Sequence, residues 1–215
     1  MTNFSAMPAL TDILSSARVV SLPLRTRFRG VVDREVMLFE GPNGWAEWSP
    51  FLEYPDEEAA VWLAAAIEFG FGALPEIRRE AIPVNATLPA VTPDQVEKVL
   101  ARFGNFSTVK IKVAETGQSL ADDFARIEAV RAAYPTARIR LDANGGYSVE
   151  DSMTVARKMV ELNVALDYLE QPVTTIAEMA ELRLKLAQAG IGAESAAGIK
   201  IAADESVRKV SDPMA

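Results

Sequence analysis

Two residue types are missing from this chain of 215 residues: cysteine and histidine. Without cysteine there is no disulfide and no thiolate metal site. Without histidine there is no Ser-His-Asp triad, no imidazole ligand and no imidazole general base, so acid–base chemistry falls to carboxylates, lysine or tyrosine. Positive charge is in short supply too. Against 30 Asp and Glu stand 22 Lys and Arg, a net charge of -8, a poor match for nucleic acid. No apolar run reaches the ~18 residues that would span a membrane. The first twenty residues lack the basic-then-apolar order of a secretory signal. A cytoplasmic protein is expected. Nearly half of the residues are apolar (49%), enough for a large core.

Residues 1–80 and 81–215 read differently. In the first segment, short strands in "ARVVSLPLRTRF", "REVMLFEGPNG" and "WAEWSPF" are joined by Gly, Pro and Asn turns. A helix, "DEEAAVWLAAAIEFG", follows with acidic residues in its first turn. This pattern predicts a small α+β domain. From Ile82 onward strands alternate with helices. Strands are expected in "IPVNATLPAV", "STVKIKV", "ARIRLDANG", "LDYLEQP" and "GIKIAADES". Between them come four helices, the first from Thr92 as N-cap to Gly104, and the last with Ile176, Met179, Leu182 and Leu186 on one stripe. Alternation of this kind predicts βαβ units and a parallel sheet, in a barrel or a doubly wound fold. No GxGxxG or GxxxxGK[ST] follows a strand, which weighs against dinucleotide and P-loop sites.

In "TVKIK", Lys110 and Lys112 lie two residues apart and point to the same face of a strand that is apolar on its other face. Asp142, Glu170 and Asp204 end the following strands, 28 and 34 residues apart. In a barrel those ends form the active-site face. Three converging carboxylates repel one another, and a divalent cation relieves the conflict. Oxygen-only ligation points to Mg2+ or Mn2+. A lysine beside such a site, its pKa lowered by burial and by neighbouring positive charge, suits proton abstraction next to a carboxylate. Each feature has an ordinary reading as well. A lone strand-end Asp is usually a turn or cap residue, and a lone KxK is usually an exposed face. Asn144 and Gly145 favour a turn after Asp142, Arg138 and Arg140 read as structural partners of acids, and Glu205 reads as an outer or surface acid.

The combination of an α+β segment, a KxK strand and three successive strand-end carboxylates resembles the enolase superfamily. That resemblance implies a capping domain (1–80) followed by a modified TIM barrel, of which 81–215 supplies the N-terminal part, about five strands. It implies a metal held by Asp142, Glu170 and Asp204, with Lys112 as base and Lys110 as its electrostatic support. Within the superfamily, "RFRGVVDRE", "GWAEWSPFLEYP", "PVNATLPAV", "RLDANGGYS" and "IAADESV" look most like the o-succinylbenzoate synthase family of menaquinone biosynthesis. The implied reaction is syn dehydration of a cyclohexadiene carboxylate to an aromatic product, with a small-molecule carboxylate as partner. The resemblance also implies a loop at 22–30 that closes over substrate. Arg27 and Arg29, with Arg25, are then contacts for the succinyl carboxylate, and Asn144 is a further substrate contact. Three departures stand out: the segment between Glu170 and Asp204 is long, with "AGIGAESAAG" reading as an extended loop, Tyr147 occupies a position where relatives often carry Trp, and no lysine here matches the one on the family's sixth strand, since Lys200 and Lys209 are misplaced for it. Dipeptide epimerases and N-acylamino-acid racemases use the same residues, and an inactive fragment or interaction module is the reading from another class. Five parallel strands cannot close an eight-stranded barrel. The chain alone is therefore expected to be inactive, or to need self-association or further C-terminal residues to complete the sheet.

Overall fold

The computed structural model describes residues 7–28, 31–164, 166–193, 198–207 and 212, the backbone alone for 26–28. It divides into two compact units, Met1–Glu80 and Ala81–Ala215.

The first unit opens with helix α1 (Leu10–Ser16), which the sequence pattern did not signal. It has seven residues and buries a single side chain, Ile13, too little for a periodic stripe. Strands β1 (Arg18–Phe28), β2 (Val31–Gly41) and β3 (Gly44–Trp48) form an antiparallel sheet in that order. Helix α2 (Asp56–Phe71) carries Asp56, Glu57 and Glu58 in its first turn, where they meet the positive end of the helix dipole. Phe39, Ala46, Ala66 and Ile67 join Ile13 in a small core. The end of α2 lies so close to β2 that a Cβ at Gly41 would stand 2.3 Å from the Gly70 carbonyl oxygen, so glycine is required there. The segment expected as a loop at 22–30 is strand through Phe28, with a register shift between Pro23 and Phe28. Arg25 is exposed. The Arg27 side chain, Arg29 and Gly30 lie outside the described residues.

The second unit is a five-stranded parallel sheet. Its strands are β4 (Ala86–Leu88), β5 (Thr108–Lys112), β6 (Arg138–Asp142), β7 (Leu166–Glu170) and β8 (Ile201–Ala202), and they lie side by side in chain order. A doubly wound sheet reverses its order at a switch point. The unbroken order here is that of a (β/α) barrel wall. Helices α3 (Val96–Leu100), α4 (Leu120–Ala133), α5 (Val149–Glu161) and α6 (Ile176–Gln188) form the connections. Leu88, Ile111, Leu141 and Leu169 are register partners across four strands, all 0% exposed. They share one core with Leu100, Ile127, Val130, Met159 and Leu182 of the helices.

Three elements are shorter than the sequence suggests. The strand expected over 82–91 pairs only at 86–88, because Pro83 and Pro89 flank it without an N–H to give to a ladder. The helix expected to run from Thr92 to Gly104 is a 3-10 turn (Pro93–Gln95) leading into a five-residue α3. Thr92 makes no side-chain cap, and Arg102 and Phe103 donate to Val99 and Leu100, the i to i+3 bonds that tighten a helix end. Phe103 is thereby turned off the stripe and is 39% exposed, as is Ile176 on α6. Strand β8 has two residues, so Asp204 follows the sheet rather than ending a strand.

Behind β5 lies a buried polar network. Arg126, 1% exposed, donates from Nη1 to Asp123 Oδ1 (2.8 Å) and to the Lys112 carbonyl (3.0 Å), and from Nε to the Val91 carbonyl (2.7 Å). It also bonds Gln118. Asp123 Oδ2 accepts from the Ala114 N–H (3.0 Å) and from the Tyr147 hydroxyl (2.6 Å). Burial, followed by the Asp123 charge and bond, pushes the Tyr147 phenol far above its ordinary range. Through the Lys112 carbonyl and the Ala114 N–H this cluster holds the end of the KxK strand and the residues just after it. Deleting one partner strands a buried charge, so Asp123→Ala should lower stability by about 3–5 kcal/mol. Tyr147→Phe should cost about 1–3 kcal/mol by leaving one acceptor short. Urea unfolding of the two variants measures both, and a loss below 1 kcal/mol for Asp123→Ala would show that the network is not structural.

Candidate active site

Strand register brings the predicted residues into line. Lys112 pairs with Asp142, Asp142 with Glu170, and Glu170 with Ala202. One row across four strands thus carries a lysine and two carboxylates at successive strand ends. The row two residues deeper carries Lys110, Arg140 and Tyr168 on the same face. Arg140 is held there by Asp167 (2.9 Å) and Asn85 (3.0 Å), and its guanidinium lies over the Tyr168 ring at 5.0 Å. It is a structural partner of an acid, in keeping with its sequence reading.

The two lysines share the acids. Lys110 Nζ lies 2.6 Å from Glu170 Oε1 and 2.9 Å from Asp142 Oδ2. Lys112 Nζ bonds the same Asp142 Oδ2 and donates to Asn144 Oδ1 at 2.7 Å. Asp142 is 0% exposed, Lys112 9% and Glu170 8%. Buried lysines need partners, and this pairing answers why two ammonium groups stand on one strand face. Asp142 also accepts the Asn144 N–H at 3.1 Å, and Asn144 has φ 46° and Gly145 φ 78°. The turn bond and the pairing with both lysines therefore coexist in one carboxylate. Asn144 Nδ2 in turn donates to Glu205 Oε1 at 2.6 Å, so Glu205 takes an outer position.

The expected lowering of the lysine pKa does not hold for Lys110. Burial pulls it down, but the bonds to Glu170 and Asp142 and their charges outweigh that and raise it. Burial alone would raise Asp142, yet Lys112 and Lys110 hold its carboxyl below the usual range. The acids at this row act as counter-ions, and an ammonium group is firmly seated between two of them.

Two carboxylate oxygens converging on one cationic nitrogen form a donor set that fits a hard divalent cation. Asp142 and Glu170 are brought together in this way. Asp204 is not: its carboxylate is exposed, two residues beyond β8, and its N–H donates to Gln171 Oε1 at 2.9 Å. Among the described residues, no three acidic side chains are gathered at one point. Lys200 is exposed, and Lys209 lies outside the described residues. A cleft of 840 Å3 runs along α6 and β8, lined by Met179, Leu186, Ile199 and Ile201. It contains none of the row's residues.

Residues 92–214, more than half of the chain, match the family model described as "Enolase C-terminal domain-like", and 19–70 match "Enolase N-terminal domain-like". The chain belongs to the enolase superfamily. An o-succinylbenzoate synthase of Mycobacterium ulcerans is 50% identical over 206 residues, which are 96% of this chain and 59% of that protein. The enolase-superfamily chain thus spans about three-fifths of the length of the curated relatives it matches. Solved structures carry the same fold. The L-Ala-D/L-Glu epimerase of Bacillus subtilis aligns with TM-score 0.66 at 20% identity, over 89% of this chain and 67% of that one. The o-succinylbenzoate synthase of Thermosynechococcus elongatus, complexed with Mg in its active site, aligns with TM-score 0.59 at 22% identity, over 92% and 70%. The arc of five parallel strands is therefore barrel wall of the enolase type. Among the described residues no helix is long and apolar enough to cross a membrane.

Several site contributors carried no sequence signal. Gln171 is a single amide after a strand. Arg126 and Asp123 are an i, i+3 pair of charges on α4 that a sequence reading assigns to the surface.

The paired charges give a pH-dependent prediction. A carboxyl held low in the folded state contributes stability above its unfolded pKa, near 3.8, and loses it as pH falls through the folded value. Lys110, held high, contributes below about 10.5 and loses it as pH rises through its folded value. Between those limits both contributions are present. In Lys110→Met, with EDTA present, the Asp142 carboxyl should titrate higher than in the parent, because one of its two cations is gone. Carboxyl 13C NMR reads this directly. An unchanged midpoint would mean that Lys110 does not set the acid's charge.

Proposed function

We propose that this chain carries the proton-abstracting and cation-binding residues of a metal-dependent carbon–oxygen lyase, an o-succinylbenzoate synthase. The observation that carries the reading is the single row Lys112, Asp142, Glu170 with Lys110 beneath it, in a chain 50% identical to proteins of that name. In this reading Lys112, as the free amine, takes the proton α to the substrate carboxylate. The C–H electrons form the new double bond, and the hydroxyl on the neighbouring carbon, on the same side, takes that proton from the Lys112 ammonium and leaves as water. A cyclohexadiene carboxylate becomes aromatic.

Asn144 fixes the direction of the Lys112 Nζ through its Oδ1. Lys110 keeps a positive charge beside it. Asp142, Glu170 and Asp204 would hold Mg2+, or Mn2+, which when bound supplies charge stabilisation at the substrate carboxylate. The Mg in the active site of the T. elongatus relative supports that choice of ion. Arg27 and Arg29 remain proposed contacts for the succinyl carboxylate, and Asn144 a proposed substrate contact. A cytoplasmic setting in menaquinone biosynthesis, with further chain or a second copy completing the barrel, belongs to the same reading.

Two measurements test it. Calorimetry should show Mn2+ or Mg2+ binding that weakens in Asp142→Asn and Glu170→Gln by more than the roughly 10-fold typical of losing an outer partner; affinity equal to the parent's in both variants would remove the ligand assignment. In the protein with its barrel completed, turnover to the aromatic product, followed by its ultraviolet absorbance, should vanish in Lys112→Ala with circular dichroism unchanged, and fall less in Lys110→Ala. Persistent turnover in Lys112→Ala would remove the base. Epimerisation of a dipeptide with no dehydration would shift the reading to the epimerase branch.

A further inference from the structure

Gln171 directly follows Glu170 and is 0% exposed. Its φ is 34°, left-handed backbone that is strained for a non-glycine residue and persists only where the surroundings enforce it. Here they do. Its N–H donates to the Ala202 carbonyl at 2.8 Å, and its carbonyl accepts the Gly145 N–H at 2.7 Å. Its Nε2 donates to the Val173 carbonyl at 2.9 Å. Its Oε1 accepts from the Asp204 N–H (2.9 Å), the Ser206 N–H (3.2 Å) and the Ser206 hydroxyl (3.0 Å).

These contacts join three segments: the turn after Asp142, the end of the strand that carries Glu170, and the turn that carries Asp204. The sheet does little for the last of these. Strand β8 ends at Ala202, and beyond it the main chain of 204–206 is tied back to the strand end by the side-chain oxygen of Gln171. An amide that merely filled space would not take three donors from one turn.

We propose that Gln171 is the positioning residue for Asp204. Its side chain holds the 204–206 turn against the end of β7, and so fixes the main chain from which the Asp204 carboxylate, exposed in this structure, would turn in toward a cation held by Asp142 and Glu170. This rests on the cation reading of the site given above. Gln171 touches neither cation nor substrate, and its side-chain oxygen acts through the turn that carries Asp204.

A double-mutant cycle tests it, with Mn2+ affinity measured by calorimetry on the purified protein. Gln171→Met should weaken Mn2+ binding by roughly 10- to 100-fold, the range for removing a partner that orients a ligand. Asp204→Asn should weaken it comparably. In the Asp204→Asn background, Gln171→Met should have no further effect. If Gln171→Met does not fold, Ser206→Ala replaces it: its loss should be smaller and should likewise vanish in the Asp204→Asn background. Losses that add would assign Gln171 a general structural role and overturn the proposal, as would an unchanged affinity in the folded single variant. If Asp142→Asn and Asp204→Asn both bind Mn2+ as the parent does, the cation reading itself is wrong and this inference falls with it.

Discussion

The site depends on one buried acid shared by two ammonium groups. Asp142 takes Lys112 and Lys110 on the same oxygen and leaves its other oxygen to the Asn144 N–H. Lys112 would not be tolerated on an inner strand face without it, and Lys110 relies on it together with Glu170, because the desolvation of an unpaired ammonium far exceeds what nearby packing returns. Nor would Asp142 stay ionised at 0% exposure without them. The pairing therefore comes before any chemistry: it makes a polar strand end compatible with a core whose opposite face is Leu88, Ile111, Leu141 and Leu169.

That pairing is delivered by register. Parallel strands in chain order place position n of each strand beside position n of the next, and alternation sends all of them to one face. The buried Arg126 then holds the carbonyl of Lys112 from behind, and Gln171 holds the segments on the other side of the row. Both do so from inside the protein, with each side-chain nitrogen hydrogen-bonded. The row is thus braced from two directions by side chains that have no part in the chemistry proposed for it. A charged row at low dielectric is sensitive to small displacements, which is the physical reason for bracing of this kind.

The fold class, the antiparallel-then-alternating layout and the KxK, Asp142 and Glu170 positions were legible in the sequence, because each follows from a short-range rule: periodicity 2 for strands, 3.6 for helices, and one strand end per βα unit. Element lengths were less legible. The strand at 86–88 and the helix at 96–100 are cut short by prolines and by i to i+3 bonds that compete locally with the longer pattern. The seven-residue α1 buries too little to show a stripe at all.

By itself, then, the sequence determined which residue types alternate with which, and hence that two lysines and two carboxylates would share a sheet face. Only the tertiary structure decided how those charges are divided: Lys110 seated between Glu170 and Asp142 and held protonated rather than tuned down, Asp204 standing in solvent instead of beside them, and Arg126 and Gln171 as the buried braces. Those outcomes depend on distances between residues up to 60 positions apart, and Coulomb and hydrogen-bond energies at such contacts change with fractions of an ångström that no local periodicity encodes.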